Sequence, residues 1–178
     1  MVEEVKKTKE QSKKKTKRPS AQTRLFAVIR LRGQVNVSNV HEKTMKLLRL
    51  HKKNRCILIP TTPAYIGMLN KIRDYCTFGE LDKETLNELI QKRGRLKGDK
   101  QLTEEFITKN YNLSFKDFLE ELYSLKKTLK DFDAIKPFFK LHPPRGGFER
   151  YGIKKPYSTG GALGYRGAEI NKLLRKMI

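Results

Sequence analysis

The chain has little of what catalytic, secreted and membrane proteins are built from. It holds two cysteines, Cys56 and Cys76, and three histidines, His41, His51 and His142, in 178 residues. Two thiols cannot make a disulfide framework, nor a four-ligand zinc site without several imidazoles. The histidines do not supply them. His41 and His51 stand ten residues apart and do not share a helical face well, and no H-x-x-x-H or C-x-x-C occurs. No metal site is expected. Cys56 lies in an apolar run and reads as inert core, and Cys76 as structural rather than reactive. No apolar run approaches the ~18 residues of a membrane-spanning helix, and mean hydropathy is −0.68, so neither a helical span nor a membrane partner is expected. The N-terminus is charged from Glu3 onward with no apolar segment behind it, so a secretory signal is not expected either, and the reducing cytosol is the expected compartment. Also absent are a Gly-rich phosphate loop ending in Lys-Ser/Thr and a G-x-S-x-G elbow. Nothing therefore indicates a catalytic residue, a cofactor or a small-molecule substrate.

What is abundant is positive charge. Lys and Arg number 40 against 19 Asp and Glu, for a net charge of +21. Such an excess argues for a polyanionic partner, and nucleic acid comes first. The charge is also segregated. Residues 1–20 hold eight basic and three acidic residues, 21–79 eleven and two, 80–135 eleven and twelve, and 136–178 ten and two. Solubility needs no such partition; a basic face contributed by residues 21–79 and 136–178 explains it. The length suits one domain with a modest core, at 37% hydrophobic residues.

Residues 1–23, with KKTKEQSKKKTKRP, have almost no side chains to bury and read as a disordered basic arm. Residues 24–178 read as one domain in three parts: a core over 24–81, a helical insertion over 82–134, and a binding loop with C-terminal helix over 135–178. The core opens with a strand, Leu25–Gly33, on which Arg30 and Arg32 share a face. A helix is expected from Val37 to about Lys53, capped by Asn36 or Ser38, with Val40, Thr44, Leu47 and Leu48 inward. Arg55–Pro60 is a short apolar strand. Thr62 and Pro63 start a second helix whose buried stripe is Ile66, Leu69 and Ile72. Asp74–Leu81 is a third strand.

In the insertion, Leu81, Leu102 and Leu113 each precede a capping residue and match an apolar residue five positions on, the hydrophobic staple. Helices are expected near 82–93, 103–110 and 114–130, the last with Phe118, Leu119, Leu122, Leu125 and Leu129 on one face. A basic loop, RGRLKGDK, separates the first two. After a short strand in PFFKLHPPRGG, the stretch His142–Gly167 interleaves Arg145, Arg150, Lys154, Lys155 and Arg166 with Phe148, Tyr151, Tyr157 and Tyr165. Cations for phosphates, aromatic faces for unpaired bases and glycines for close backbone approach are the ingredients of RNA binding. So polar a segment is expected to be ordered mainly by its partner. A helix over about 167–177, with Ile170, Leu173, Leu174 and Met177 inward, closes the chain.

An enzyme of another class is the alternative. RLRGQV at Arg30–Val35 loosely resembles the first strand and loop of acylphosphatases, but RGQVNVS lacks the second glycine that would let the backbone wrap an anion. A basic RNA-processing enzyme is the other form of this alternative.

Taken together, LFAVIRLRG, HEKTMKLLRLHKKNRCILIPTTPAYIGMLNKIRDYCTFGEL, FFKLHPPRGGF and GGALGYRGAEINKLLRKMI resemble the universal large-ribosomal-subunit protein family number thirty, whose eukaryotic member is numbered seven. The resemblance covers about residues 24–178, and its GGALGYRG ending is of the archaeal type. It implies an α+β, ferredoxin-like β-α-β-α-β core with an antiparallel sheet, and no catalysis. It implies a structural role on large-subunit rRNA in the neighbourhood of 5S rRNA, beside other large-subunit ribosomal proteins, on cytoplasmic ribosomes. By the resemblance, Arg30, Arg32 and Gly33 fall where the first strand meets rRNA, and Lys52, Lys53 and Arg55 at the next turn. Arg145, Gly146 and Gly147 match the HPPRGG loop, and Tyr165 and Arg166 precede the last helix. Arg150, Lys154 and Lys155 complete the expected RNA-binding set.

Overall fold

The structure, a computed structural model, describes residues 23–178. The basic arm expected over residues 1–23 thus lies, but for Thr23, outside the described residues. In chain order the elements are β1 (Leu25–Arg30), α1 (Asn39–Leu47), β2 (Arg55–Pro60), α2 (Pro63–Ile72), β3 (Cys76–Glu80), α3 (Lys83–Arg93), α4 (Glu104–Tyr111), α5 (Phe115–Tyr123), β4 (Phe139–Lys140), β5 (Gly164–Tyr165) and α6 (Ile170–Met177). The sheet order is β4-β2-β1-β3-β5. β1 pairs antiparallel with both β2 and β3, and the first five elements form the ferredoxin-like α+β core. β4 extends it antiparallel to β2, but β5 runs parallel to β3. The core sheet is therefore antiparallel as expected, and β5, outside that core, makes the full five-stranded sheet mixed. No hairpin ties β5 to β3, so the long excursion after β4 lets the chain enter that edge in the parallel sense.

β1 is apolar from Leu25 to Ile29 because it is covered on both faces. Leu25, Ala27 and Ile29 join a core with Leu86, Leu89, Phe118, Leu122, Ile170 and Leu174 of the later helices. Phe26 and Val28 join a second core with Met45 and Leu48 from α1 and its end, Leu69 and Ile72 of α2, and Ile57, Ile59 and Phe78 of the neighbouring strands. A strand without a solvent face shows no polar alternation.

Helix starts follow the expected signals. Thr62 accepts the Tyr65 N–H at 3.5 Å and Pro63 takes the first helical position. The staple pairs Leu81–Leu86 and Leu102–Ile107 are buried, and Phe118 is buried with Leu113 packed on the same core. Two helix ends do not follow the expected bounds, while those of α3, α4 and α6 fall within a residue of them. α1 stops six residues before Lys53, and α5 seven before Lys130. Each closes on a left-handed residue that is not glycine, Arg49 (φ 59°) and Leu125 (φ 60°). At the first, Arg49 donates to Lys46 O at 2.9 Å and Leu50 to Met45 O at 2.8 Å. At the second, Leu125 donates to Leu122 O at 3.2 Å and Lys126 to Glu121 O at 3.1 Å. These are the paired bonds of a Schellman end.

Two stripes are also corrected. On α1 the buried positions are Thr44 and Met45, and Leu48 just past its end, while Val40 and Leu47 are exposed. On α2, Leu69 and Ile72 are buried but Ile66 is not. The stretch 142–167, expected to depend on its partner for order, is tied down within the chain. His142 and Arg145 donate to Met177 O and Lys176 O, Tyr157 to Leu163 O at 2.8 Å, Ala162 to Gly152 O and Arg166 to Phe78 O. Ala162 and Leu163 are buried, and Phe148 and Ile153 pack on the main core. The loop borrows a core that β1, α3, α5 and α6 already provide.

Candidate nucleic-acid interface

The interface is organised by a residue that does not reach its surface. Arg30, the last residue of β1, is 1% exposed, on the face covered by α1 and α2. Its Nε donates to Arg32 O at 2.9 Å, one terminal nitrogen to Leu50 O at 2.7 Å and His51 O at 3.0 Å, and the other to Gly33 O at 2.8 Å. One guanidinium thereby joins the loop after β1 to the loop before β2. Gln34 adds a bond to His51 O at 2.7 Å, and Asn54 N donates to Arg30 O at 2.7 Å. The expected phosphate-contacting role of Arg30 is corrected: the residue is buried, and four of its N–H groups are held by these carbonyls. Burial lowers its pKa, yet a guanidinium keeps its charge at neutral pH.

What the clamp presents is exposed and cationic. Arg32, Lys52 and Lys53 are exposed, and none makes an ion pair among the described residues. Gly33, also exposed, gives its carbonyl to Arg30. Arg32 lies over the Tyr75 ring at 5.4 Å and donates to Asp74 O, which fixes its direction. Arg55 is half-buried and stacks on Phe138 at 4.3 Å. His51 registers the resulting field. Burial first, then the charges of Arg55, Lys46, Arg30 and Arg49, push its imidazole below the ordinary value, so it is neutral at pH 7. Arg49 and Gln34 belong to this group and were not singled out in the sequence, because Arg49 reads there as mid-helix.

The other expected residues fall into separate groups. Leu141 N donates to Asn54 O at 2.9 Å, so the HPPRGG loop begins beside Lys53 and ends against the last turn of α6. Arg145 is exposed there, near enough to Arg93 that its charge, after burial and Arg95, lowers the Arg93 pKa. Gly146 and Gly147 have φ of 78° and 77°, a turn side chains resist, and both are exposed. Arg150, Lys154 and Lys155 are exposed around Tyr151, with Lys155 Nζ 4.6 Å from its ring centre.

Arg166 is the second correction. It is 5% exposed, on the face opposite Arg30. It donates to Thr77 Oγ1 at 3.0 Å, to both Glu149 oxygens at 2.5 and 3.3 Å and to Ala162 O at 2.9 Å, and stacks on Tyr157 at 4.7 Å. Burial works to raise the Glu149 carboxyl, but the Arg166 hydrogen bond, with help from its charge and that of Lys176, holds it below the ordinary value. Arg166 therefore holds the 149–166 loop closed. Tyr165 points the other way and is 55% exposed. Cys56 and Cys76 are buried, with thiols pushed up to about 12 by burial.

Comparison with known proteins shows the family. Residues 26–76, from within β1 to the first residue of β3, match the family described as ribosomal protein L30p/L7e. The large ribosomal subunit protein uL30 of Methanococcus maripaludis is 50% identical over 153 residues, 86% of this chain and 99% of the relative. That of Methanococcus vannielii is 51% identical over the same shares, and that of Methanopyrus kandleri 48% identical over 149 residues, 83% of this chain and all of the relative. With about half of the aligned residues identical along nearly the whole length of these archaeal relatives, the chain belongs to the ribosomal protein L30p/L7e family, whose members are structural proteins and not enzymes.

Proposed function

We propose that this chain is a structural constituent of the large ribosomal subunit, binds its rRNA and stabilises the rRNA fold during assembly and translation. Residues 24–178 act as one unit in this role. The observation that carries the reading is the Arg30 clamp, which joins the loop carrying Arg32 to the loop carrying Lys52 and Lys53, all three exposed and without a carboxylate partner among the described residues. Phosphate oxygens are the ligands such a surface suits, and the shape of the RNA backbone fixes the register. Arg145, Gly146 and Gly147 extend the contact from beside Lys53 toward the end of α6. Its neighbours are other large-subunit proteins and the 5S rRNA region, on ribosomes of the cytoplasm. No helix among the described residues is long and apolar enough to cross a membrane.

The experiment is binding of the full chain to large-subunit rRNA across a salt series. Neutralisation of about six to ten phosphates weakens binding ~10³–10⁵-fold between 50 and 200 mM salt on the scale established for DNA. Replacing Arg32, Lys52 and Lys53 with Glu should remove most of the affinity and flatten the salt slope. Salt-independent binding would overturn the proposal. Hydroxyl-radical footprinting of the reconstituted subunit tests the 5S neighbourhood separately.

A further inference from the structure

We infer that the groove between α2 and the β3–β5 edge is a seat for an unpaired RNA base, with Tyr165 as its stacking platform; this rests on the RNA-binding reading above. The groove has a volume of about 490 Å³ and is lined by Asn70, Arg73, Phe78, Pro156, Tyr157 and Tyr165, among others. That is the size range of small-molecule sites.

Tyr165 is an exposed aromatic that is held still. Phe26 stacks on its ring at 6.1 Å, Phe78 lies tilted against it at 5.9 Å, and its hydroxyl donates to Glu80 Oε1 at 2.7 Å. A ring fixed at both ends loses little freedom when a base lies on its open face. The opposite wall supplies what a nucleotide needs. Asn70, exposed on α2, carries a donor and an acceptor on one amide, the pattern that pairs with a base edge. Arg73 has only a long contact to Asp74, 3.9 Å between side chains 69% and 72% exposed, and such surface pairs hold weakly. Its guanidinium is available for a phosphate. Tyr157 is a wall rather than a second platform, because Arg166 already covers its ring. A duplex cannot deliver a base into this groove, so the chemistry selects a single strand, a bulge or a loop.

The test uses the full chain with a short single-stranded RNA carrying 2-aminopurine, and the same sequence as a duplex. Tyr165→Leu keeps an apolar cap over Phe26 and Phe78 but removes the stacking face; Tyr165→Phe keeps the face and removes only the bond to Glu80. Expected are quenching of 2-aminopurine by the wild type, a loss of roughly 5- to 150-fold in single-strand affinity for Tyr165→Leu with an unchanged salt slope, and near wild-type behaviour for Tyr165→Phe. Asn70→Ala weakens binding without touching the core, and Arg73→Gln lowers the salt slope by about 0.7. If Tyr165→Leu lowers the melting temperature, Asn70→Ala and Arg73→Gln carry the test. Should these variants bind and quench like the wild type while Lys52→Glu with Lys53→Glu weakens binding, the groove is not a base seat and the RNA reading stands. Absence of any RNA binding would sink both.

Discussion

Replacing Arg30 with Met separates an organising guanidinium from a phosphate ligand. The substitution keeps the aliphatic stem and removes four hydrogen bonds to the carbonyls of Arg32, Gly33, Leu50 and His51. Bonds to a charged donor are worth about 1.5–3 kcal/mol each, a gross ceiling of about 6–12 kcal/mol. Two effects lower it. A buried guanidinium costs several kcal/mol to desolvate, and that cost disappears with the charge. Of the four bonds only that to Leu50 O is fully buried; the rest are part-buried and their carbonyls can rehydrate. The orphaned Leu50 carbonyl alone costs about 1–3 kcal/mol, and imperfect hydration of the others brings the sum to about 3 kcal/mol. For a chain of this size that lowers the melting temperature by about 6–12 °C. Thermal melting followed by circular dichroism measures it. In the rRNA titration, affinity should fall because Arg32 and Lys52 are no longer held in register, while the salt slope stays at its wild-type value. A wild-type melting temperature with a slope reduced by about 0.7–0.9 would mean that Arg30 faces a phosphate, and the clamp would be refuted.

The remaining predictions address the core and the second buried arginine. Leu122→Ala, in the core under α5, should cost about 2–5 kcal/mol in denaturant unfolding. Gly79→Ala should cost about 3 kcal/mol, as strong overpacking does, because its Cβ would lie 2.0 Å from Gly167 O. Glu149 has its folded pKa below its unfolded one, so the pair with Arg166 stabilises fully above the ordinary carboxylate value of 4.5 and is lost as pH falls through the folded value. Acid titration of stability should show this loss, Glu149→Gln should flatten it, and Arg166→Ala should lower the melting temperature at pH 7. Neither Cys56 nor Cys76 should react with a thiol reagent at pH 8 until the protein unfolds, since burial keeps both protonated.

Most elements were legible in the sequence because their signals are local. Thr62-Pro63 and the leucine staples start helices through contacts within one turn, and the branched residues of Ile57–Ile59 suit only a covered strand. The family resemblance, too, rests on contiguous motifs. The ends of α1 and α5 were not legible, since Arg49 and Leu125 bend there without glycine. At the first, burial of Leu50 and Met45 in the second core stabilises a conformation that local propensity disfavours. Likewise Val40 and Leu47 satisfy helical spacing, but the sheet chose the face carrying Met45 instead.

Charge counting located the basic flanks and, among them, the residues that the fold leaves exposed: Arg32, Lys52, Lys53, Arg145, Arg150, Lys154 and Lys155. It could not distinguish these from Arg30 and Arg166. Period two puts Arg30 and Arg32 on one strand face, yet the strand ends between them and only Arg30 lies under α1 and α2. Its partners at Leu50 and His51, and those of Arg166 at Thr77 and Glu149, lie 17 to 89 residues away in sequence. A charged side chain at the surface is specified by its own type; a buried one is specified by the carbonyls and carboxylates that surround it, and only the closed tertiary structure brings those within hydrogen-bonding distance.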